Sequence, residues 1–417
     1  MKILKNITVF TLVMLLSVST ILEAREKSVS NFSSSTSNYV DSVGTFDGNK
    51  IYADVANNGL FLDYHVSGDS ALEWPKGTGV HSIFQSALWM GATVNGSIRT
   101  IVGDYTQDMG PGPWGGDPLA AVHRIYKVEK SMLASPLDFA DFQEWPVDFG
   151  APWVDVDGDG VYSPLPGGPD HPEFLGDQVL WFVSNDGDPA YKLNFGTSPL
   201  NVEIQTTMFG FDRPDVFGDM VFLKQLVINY GSDDLVDTYM GLWSDPDLGY
   251  AGDDFVGCDV ALGMGYVWND GDDQQYSTLD TGTPAAGYDF FQGPMVPCED
   301  GDSEEVCPTE GAKMFGTRHP GMKNLKMSSF AFYINGDATY TDPSDETEGY
   351  FYLQGLRKDG SAYPAEIAGD LYDQRFCFYG DPNDSAGHST ANPVDGNYAA
   401  SADRRFLMSV GPFTMAA

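Results

Sequence analysis

The chain has 417 residues and carries 22 Lys+Arg against 60 Asp+Glu, which gives a formal net charge of −38. This balance excludes a nucleic-acid-binding protein, because a phosphate backbone is met by clustered basic side chains. The 42% hydrophobic and 13% aromatic content excludes a disordered acidic tail, because such tails lack the apolar side chains that offset chain entropy. The composition therefore predicts a folded acidic protein.

The N-terminal segment has the features of a secretory signal peptide. Two lysines precede an apolar run over residues 7–22, and Ala24 offers a small residue at a cleavage site. The run is interrupted by polar residues and is shorter than the ~20 apolar residues that span a bilayer. We expect residues 1–24 to be removed and residues 25–48 to form a flexible mature N-terminus. The mature protein is then secreted, extracellular or on a bacterial cell surface, and not transmembrane.

Strand-like runs fill the remaining region, residues 49–417. Stretches rich in β-branched and aromatic residues, bounded by Gly, Asp or Pro, predict strands at residues 50–55, 59–65, 82–94, 201–211, 220–230, 237–243, 259–269, 328–335, 349–356 and 404–415. Both faces of 220–230 are apolar, which is typical of a central strand covered on two sides. No amphipathic helix of any length is predicted. The fold class is all-β: a large antiparallel β-sandwich with long Gly/Pro/Asp-rich loop excursions.

One of these excursions covers residues 104–176. It holds ten Pro and ten Gly together with Trp114, Trp145 and Trp153. A structureless loop of that length is uncommon in a compact domain, so we expect its aromatic residues and an ion to pin it. The same three tryptophans are the candidates for exposed rings that stack on a ligand such as a sugar.

Four cysteines remain in a chain predicted to be exported: Cys258, Cys298, Cys307 and Cys377. An even count in that setting favours disulfides over a metal site. Three connectivities are possible, and we predict the pairs Cys298–Cys307 and Cys258–Cys377, because the first pair flanks a polar loop. Zinc is the weaker interpretation, since no CxxC and no neighbouring His supports it.

Ten short phrases lie, in order, at residues 73–77, 88–92, 176–181, 245–249, 253–254, 257–259, 265–269, 291–294, 380–382 and 411–414. As an ordered set they resemble a family of large secreted bacterial proteins of the Bacteroidetes–Ignavibacteria group, which commonly carry a type IX secretion sorting domain at the C-terminus. The resemblance covers roughly residues 50–417 and implies export and surface display. It implies no enzyme activity. In the family the last phrase continues into further β-structure, so we expect this sequence to be a fragment that lacks the C-terminal region.

The sharpest local motif is an alternation of Asp155, Asp157 and Asp159 that ends in Gly160. It matches the first half of a calcium loop, because three carboxylates converge while glycine permits the tight turn. Adjacent carboxylates repel one another unless a cation neutralises them. The motif therefore predicts a Ca²⁺ site, with an ion-free Asp/Gly turn as the alternative.

The rest of the loop departs from an EF-hand. Val161 at the seventh position would offer its carbonyl, but Pro166 stands at the twelfth position, where an EF-hand needs glutamate. No helices are predicted on either side. We therefore predict a calcium turn similar to those of dockerins or thrombospondin repeats, with Asp170, Glu173 or Asp177 completing the ligand set.

A second acidic cluster lies between two predicted strands and contains Asp245, Asp247, Asp253, Asp254 and Asp259. If these carboxylates converge on one loop, they form a second oxygen-only cation site. A solvated acidic loop, in which Asp side chains cap turns, is the equal alternative. The sequence does not decide between them.

Catalytic signatures are absent from the sequence. No G-x-S-x-G elbow, H-E-x-x-H helix or phosphate-binding loop occurs. With 60 acidic residues, a pair of carboxylates suited to glycoside hydrolysis can always be found, so such a pair carries no information. The favoured hypothesis is a non-enzymatic, calcium-stabilised β protein with a structural, adhesive or ligand-binding role, whose partner is an extracellular glycan or a surface protein. The alternative is a secreted polysaccharide-active enzyme or carbohydrate-binding module.

Overall fold

The computed structural model describes residues 43–164, 169–382 and 400–417. The predicted signal peptide, most of the predicted flexible N-terminus and Pro166 lie outside these ranges. Strands account for 36% and helices for 13% of the structure, which confirms the all-β expectation. No helix among the described residues is long and apolar enough to cross a membrane.

Most strands are short. Their bounds are β1 Val43–Phe46, β2 Tyr52–Ala56, β3 Leu72–Glu73, β4 His81–Ile83, β5 Gln85–Val94, β6 Ser97–Ile101, β7 Gly110–Pro111, β8 Tyr126–Glu129, β9 Trp153–Val154, β10 His171–Pro172, β11 Gln178–Asn185, β12 Val202–Gly210, β13 Val221–Asn229, β14 Leu235–Asp245, β15 Asp254–Asp259, β16 Met264–Asn269, β17 Ala285–Asp289, β18 Met295–Pro297, β19 Ala312–Met314, β20 Thr317–His319, β21 Met322–Asn324, β22 Ser329–Ile334 and β23 Arg404–Met415. Six of those described have eight or more residues: β5, β11, β12, β13, β14 and β23.

Helices are few and short in the described residues. The α-helices are α1 Ala140–Gln143, α2 Glu346–Leu353 and α3 Ala365–Ala368. Single 3₁₀ turns occur at Ala121–His123, Lys130–Ala134, Pro136–Asp138, Val147–Phe149, Pro189–Tyr191, Val216–Asp219, Ala251–Asp253, Tyr276–Thr278 and Tyr372–Gln374.

The described strands form seven antiparallel sheets in a propeller-like arrangement. The two largest have five strands each, in the orders β13-β12-β11-β7, with β8 also paired to β11, and β22-β23-β14-β5-β6. One cluster of buried apolar side chains draws on both sheets. It contains Met90 and Ile101 from β5 and β6, together with Val202 and Ile204 from β12. The long strands therefore bury side chains against one another across the two sheets.

Within the excursion at residues 104–176, the described residues, 104–164 and 169–176, are structured rather than loose. It contributes β7 to β10 and α1, and its aromatic residues Phe142 and Trp145 are buried together with Val179 and Trp181 of β11. Trp145 donates a hydrogen bond from Nε1 to the carbonyl oxygen of Pro152 at 3.0 Å. The indole and its neighbours fix this Pro- and Gly-rich segment onto the sheet.

One predicted strand is a helix. Residues 349–356 were expected to be extended, but residues 346–353 form α2. The Asp345 side chain caps the helix by accepting the backbone N–H of Glu348 at 2.9 Å. Gly349, Tyr350 and Leu353 are buried, whereas residues 346–348 remain partly exposed. Because residues 350–353 are aromatic or apolar at every position, the sequence shows no amphipathic pattern.

Two other strand predictions also need correction. Residues 59–65 contain only an isolated bridge between Leu62 and Ser86. Strand β13 is at the edge of its sheet rather than at its centre, and Leu226 within it is 39% exposed. An apolar pattern on both faces predicts burial on both sides, and here the residues remain largely half-exposed.

Candidate functional site

The predicted calcium turn connects the two strands of a short antiparallel ribbon. Strands β9 and β10 pair antiparallel, with Val154 opposite His171. Asp155 therefore leaves the ribbon directly beside the point where Asp170 enters it. The carboxylates of Asp155 and Asp170 therefore lie in the same region at the end of the ribbon.

Four carboxylates converge in this loop. Asp155, Asp157, Asp159 and Asp170 each offer one oxygen, and all four oxygens lie within 4.8 Å of one another. The first three side chains are exposed, whereas Asp170 is only 2% exposed. The site is thus a shallow, oxygen-only group that is open to solvent on one side and anchored on the other.

Backbone hydrogen bonds shape the exposed part of the loop. Asp155 accepts the N–H of Gly158 through Oδ1 at 2.7 Å and the N–H of Gly160 through Oδ2 at 2.9 Å. Both glycines have positive φ, +80° and +76°, a region that other L-residues rarely adopt. The loop wraps around the Asp155 carboxylate, and this geometry explains the two glycines of the motif.

Asp170 joins the two halves of the loop. Its Oδ2 accepts the N–H of Ser163 and its Oδ1 accepts the N–H of Val156, both at 2.9 Å. These two bonds hold the pKa of Asp170 below its usual range. Asp170 is therefore ionised at neutral pH although it is buried.

The charge of this group is not balanced by basic side chains. Within the described ranges no Lys or Arg forms an ion pair with Asp155, Asp157, Asp159 or Asp170. Four carboxylates at this spacing repel one another, and a hard cation with oxygen ligands relieves the repulsion. Ca²⁺ takes six to eight such ligands, so carbonyl and water oxygens would complete the shell.

Two other predicted carboxylate ligands do not join the group. Val161, the predicted carbonyl ligand, is exposed and its N–H donates to Asp159 Oδ1 at 2.7 Å. Asp177 accepts the N–H of Asp212 at 3.0 Å, and Glu173 lies 3.8 Å from the ammonium group of a lysine on β13. Both acidic side chains therefore point to other partners. Of the three carboxylates proposed to complete the site, the structure places Asp170 there.

The second acidic cluster is only partly assembled. Asp245 and Asp247 come together with Asp403, again with one oxygen each within 4.8 Å. Arg405 lies against this group, with Nε 3.3 Å from Asp245 Oδ1 and Nη1 3.0 Å from Asp403 Oδ1. Tyr105 adds a hydrogen bond from its hydroxyl to Asp245 at 2.8 Å. The guanidinium already supplies positive charge here, which favours a buried ion-pair network over a cation site.

The remaining members of that cluster serve local structure. Asp254 is buried and accepts the N–H of Leu248 at 3.0 Å. Asn269 donates to Asp253 at 2.7 Å and to Asp254 at 3.2 Å. Asp259 accepts the N–H of Leu262 at 2.9 Å. Burial raises the pKa of Asp254 well above its ordinary value and that of Asp253 to about 6. These three carboxylates do not belong to the group around Asp245.

The cysteines follow one of the two predicted pairings. Cys298 and Cys307 form a disulfide, as expected. Cys258 and Cys377 are free and buried, so the second predicted disulfide is absent. The Cys258 thiol donates instead to the carbonyl oxygen of Cys377 at 3.5 Å.

The three tryptophans proposed to stack on a ligand have different environments. Trp145 is 3% exposed and belongs to the core, so the expectation of an exposed ring is wrong there. Trp153 is half-buried and packs edge-on against Tyr162 at 5.6 Å. Trp114 is exposed and stacks on Tyr230. Trp114 alone among the three keeps an open ring in the described structure.

No family model, no curated protein and no solved structure matches the chain.

Proposed function

We propose that this chain is a secreted or cell-surface, non-enzymatic β protein that calcium stabilises, with a structural, adhesive or ligand-binding role. The observation that carries the proposal is the convergence of Asp155, Asp157, Asp159 and Asp170 within 4.8 Å, without a basic partner among the described residues. An oxygen-only group of this charge suits Ca²⁺ better than softer metals. The basic and apolar start of the sequence and the disulfide Cys298–Cys307 support export to an oxidising compartment.

The arrangement of the two five-stranded sheets is also part of this proposal. We infer that the two five-stranded sheets are the layers of a β-sandwich. The shared cluster of buried side chains from β5, β6 and β12 supports this inference. The ordered sequence phrases support membership of the secreted bacterial family described above, and with it display on the cell surface through a type IX system.

The magnitude of calcium stabilisation follows from mass action. Binding to the native state alone adds RT ln(1 + [L]/Kd), and extracellular modules work with Kd of roughly 10⁻⁴–10⁻³ M. At ~2 mM calcium the free energy of unfolding then rises by about 0.6–1.8 kcal/mol. For a chain of this length the unfolding entropy is on the order of 0.8 kcal/mol per kelvin, so Tm moves by only ~1–2 °C. Direct titration is therefore the sharper measurement.

The test is isothermal titration of Ca²⁺ into the full chain and into two matched variants. Asp157→Asn removes one charge but keeps the oxygen that accepts the N–H of Asp159 at 3.2 Å. Asp300→Asn removes one charge from an exposed acidic loop elsewhere. We expect the parent and Asp300→Asn to bind calcium alike, and Asp157→Asn to bind it at least about tenfold more weakly.

Urea unfolding in the presence of a calcium chelator gives a second measurement, in which Asp157→Asn should have an advantage over the parent instead of a defect. Without calcium, Asp157→Asn relieves repulsion within the group, so it should be more stable than the parent. Sodium at matched ionic strength should not replace calcium, because screening acts on all exposed charges alike. Equal calcium affinity in the parent and Asp157→Asn would show that the loop is an ordinary Asp/Gly turn.

A further inference from the structure

Two exposed aromatic rings lie flat against each other at one end of the sheet β13-β12-β11-β7. Trp114 is 42% exposed and Tyr230 is 45% exposed. Their ring centroids are 5.5 Å apart and their planes differ by 5°. At this offset each ring leaves part of its face uncovered, so the pair presents an open aromatic surface rather than a closed core contact.

The backbone on both sides of the pair is anchored to the sheet. The N–H of Trp114 donates to Glu203 Oε2 at 2.8 Å, and the Glu203 side chain comes from the buried part of β12. Asn185 at the end of β11 donates to the carbonyl oxygen of Gly112 at 2.9 Å. The N–H of Tyr230 donates to Asn201 at 2.9 Å. The rings are held by strand ends and not by a free loop, which lowers the entropy that a ligand must overcome.

The position of the indole also depends on a glycine. A Cβ at Gly187 would lie 2.7 Å from both Cδ1 and Nε1 of Trp114, closer than nonbonded atoms allow. Gly187 therefore leaves room for the ring to lie where it does. Because the Trp114 ring is exposed, packing of the hydrophobic core does not explain its position.

The polar edges of the pair are available for hydrogen bonding. Neither Trp114 Nε1 nor the Tyr230 hydroxyl has a partner among the described residues. A pyranose ring has an apolar C–H face and a rim of hydroxyls, and it matches a flat aromatic surface bordered by an N–H and an O–H. The net charge of −38 repels uronic acid or sulfated chains, so the fitting ligand is uncharged.

We propose that Trp114 and Tyr230 form a binding platform for a neutral sugar ring of an extracellular glycan. The inference rests on the proposed function in one respect, since it names a ligand class for the binding role. It does not depend on calcium, because the platform and the loop of Asp155 lie on different elements. The two proposals can therefore fail separately.

The experiment uses the full chain in calcium-containing buffer. The probes are hexasaccharides of β-1,4-glucose, β-1,4-xylose and β-1,4-mannose, with polygalacturonate as the anionic comparison, and binding is measured by titration calorimetry. We expect at least one neutral hexasaccharide to bind and polygalacturonate not to bind. Trp114→Ala and Tyr230→Ala should each lower the affinity by about tenfold, as loss of a stacking ring does elsewhere.

Phe291→Ala is the matched control. Phe291 is another open ring, 61% exposed and stacked on Phe222 at 6.1 Å, and its removal should leave glycan affinity unchanged. Thermal unfolding identifies any variant that loses binding by misfolding, and either platform variant suffices if it melts like the parent. The proposal is overturned if no neutral hexasaccharide binds, if polygalacturonate binds as well, or if a folded platform variant binds like the parent. With calcium affinity still sensitive to Asp157→Asn, such a result refutes the glycan platform alone.

Discussion

The buried carboxylate of Asp104 gives the fold a measurable dependence on pH. Asp104 follows β6 and is 8% exposed, and it accepts the N–H of Thr106 at 3.1 Å. Burial raises its pKa to about 7, a hydrogen bond from Asn194 opposes the shift, and the negative charge of Asp342 adds to it. The ionised form is thus disfavoured in the native state relative to the unfolded chain.

The sign and size of the effect follow from linkage. The unfolded chain loses this proton near pH 4 and the native state loses it only near pH 7. Stability therefore falls as pH rises between these values and is then constant. With a native pKa of about 7 against an ordinary value of 3.8, the free energy of unfolding should drop by about 2–3 kcal/mol from pH 5 to pH 8. Asp104→Asn keeps an acceptor for Thr106 and removes the titration.

Urea unfolding of the parent and of Asp104→Asn at pH 5, 6, 7 and 8, all in chelator, measures this difference. Asp253 and Asp289, whose pKa values burial raises to about 6, titrate in both proteins and cancel in the comparison. Asp300→Asn controls for the loss of one negative charge at the surface. We expect the free energy of unfolding of Asp104→Asn to rise relative to that of the parent as pH increases. Parallel pH profiles for the two proteins would refute the burial argument.

Two further outcomes follow from buried groups. The Lys192 side chain is 1% exposed, and its ammonium group lies 2.8 Å from the Asp108 carboxylate. Lys192→Met should lower the free energy of unfolding in urea by about 3–5 kcal/mol, because it leaves a buried charge uncompensated. Adding Asp108→Asn should recover part of that loss. Because Cys258 and Cys377 are free and buried, thiol titration of unreduced protein should find two reactive thiols after denaturation and none before. A count of zero after denaturation would show that these cysteines pair in the mature protein.

The convergence of Asp155, Asp157 and Asp159 could be predicted from the sequence because its information is local. Alternating aspartates and the two positive-φ glycines occupy neighbouring positions, so their convergence needs no knowledge of the fold. Asp170 is found because β9 and β10 close the loop. Asp403 and Arg405 could not be predicted as partners of Asp245, because strand β23 reaches β14 only through the pairing of the sheet.

The errors at α2 and at β13 have different causes. Residues 350–353 are aromatic or apolar at every position, so the sequence of α2 shows no helical periodicity and resembles that of a buried strand. For β13, the apolar pattern shows which side chains are apolar, but it does not show what fraction of their surface is buried. A sheet edge and a sheet centre can therefore share one pattern.

The exposed edge of β13 has a consequence for how copies of the protein behave together. Residues 220–230 carry Lys224 as their one charged side chain, and among the described strands β13 pairs only with β12. Such an edge is a template for intermolecular strand pairing, which a lysine on the edge partly discourages. The net charge of −38 keeps the molecules apart at neutral pH and low salt. Acid or concentrated salt weakens that repulsion and leaves Lys224 as the main barrier to aggregation through this strand.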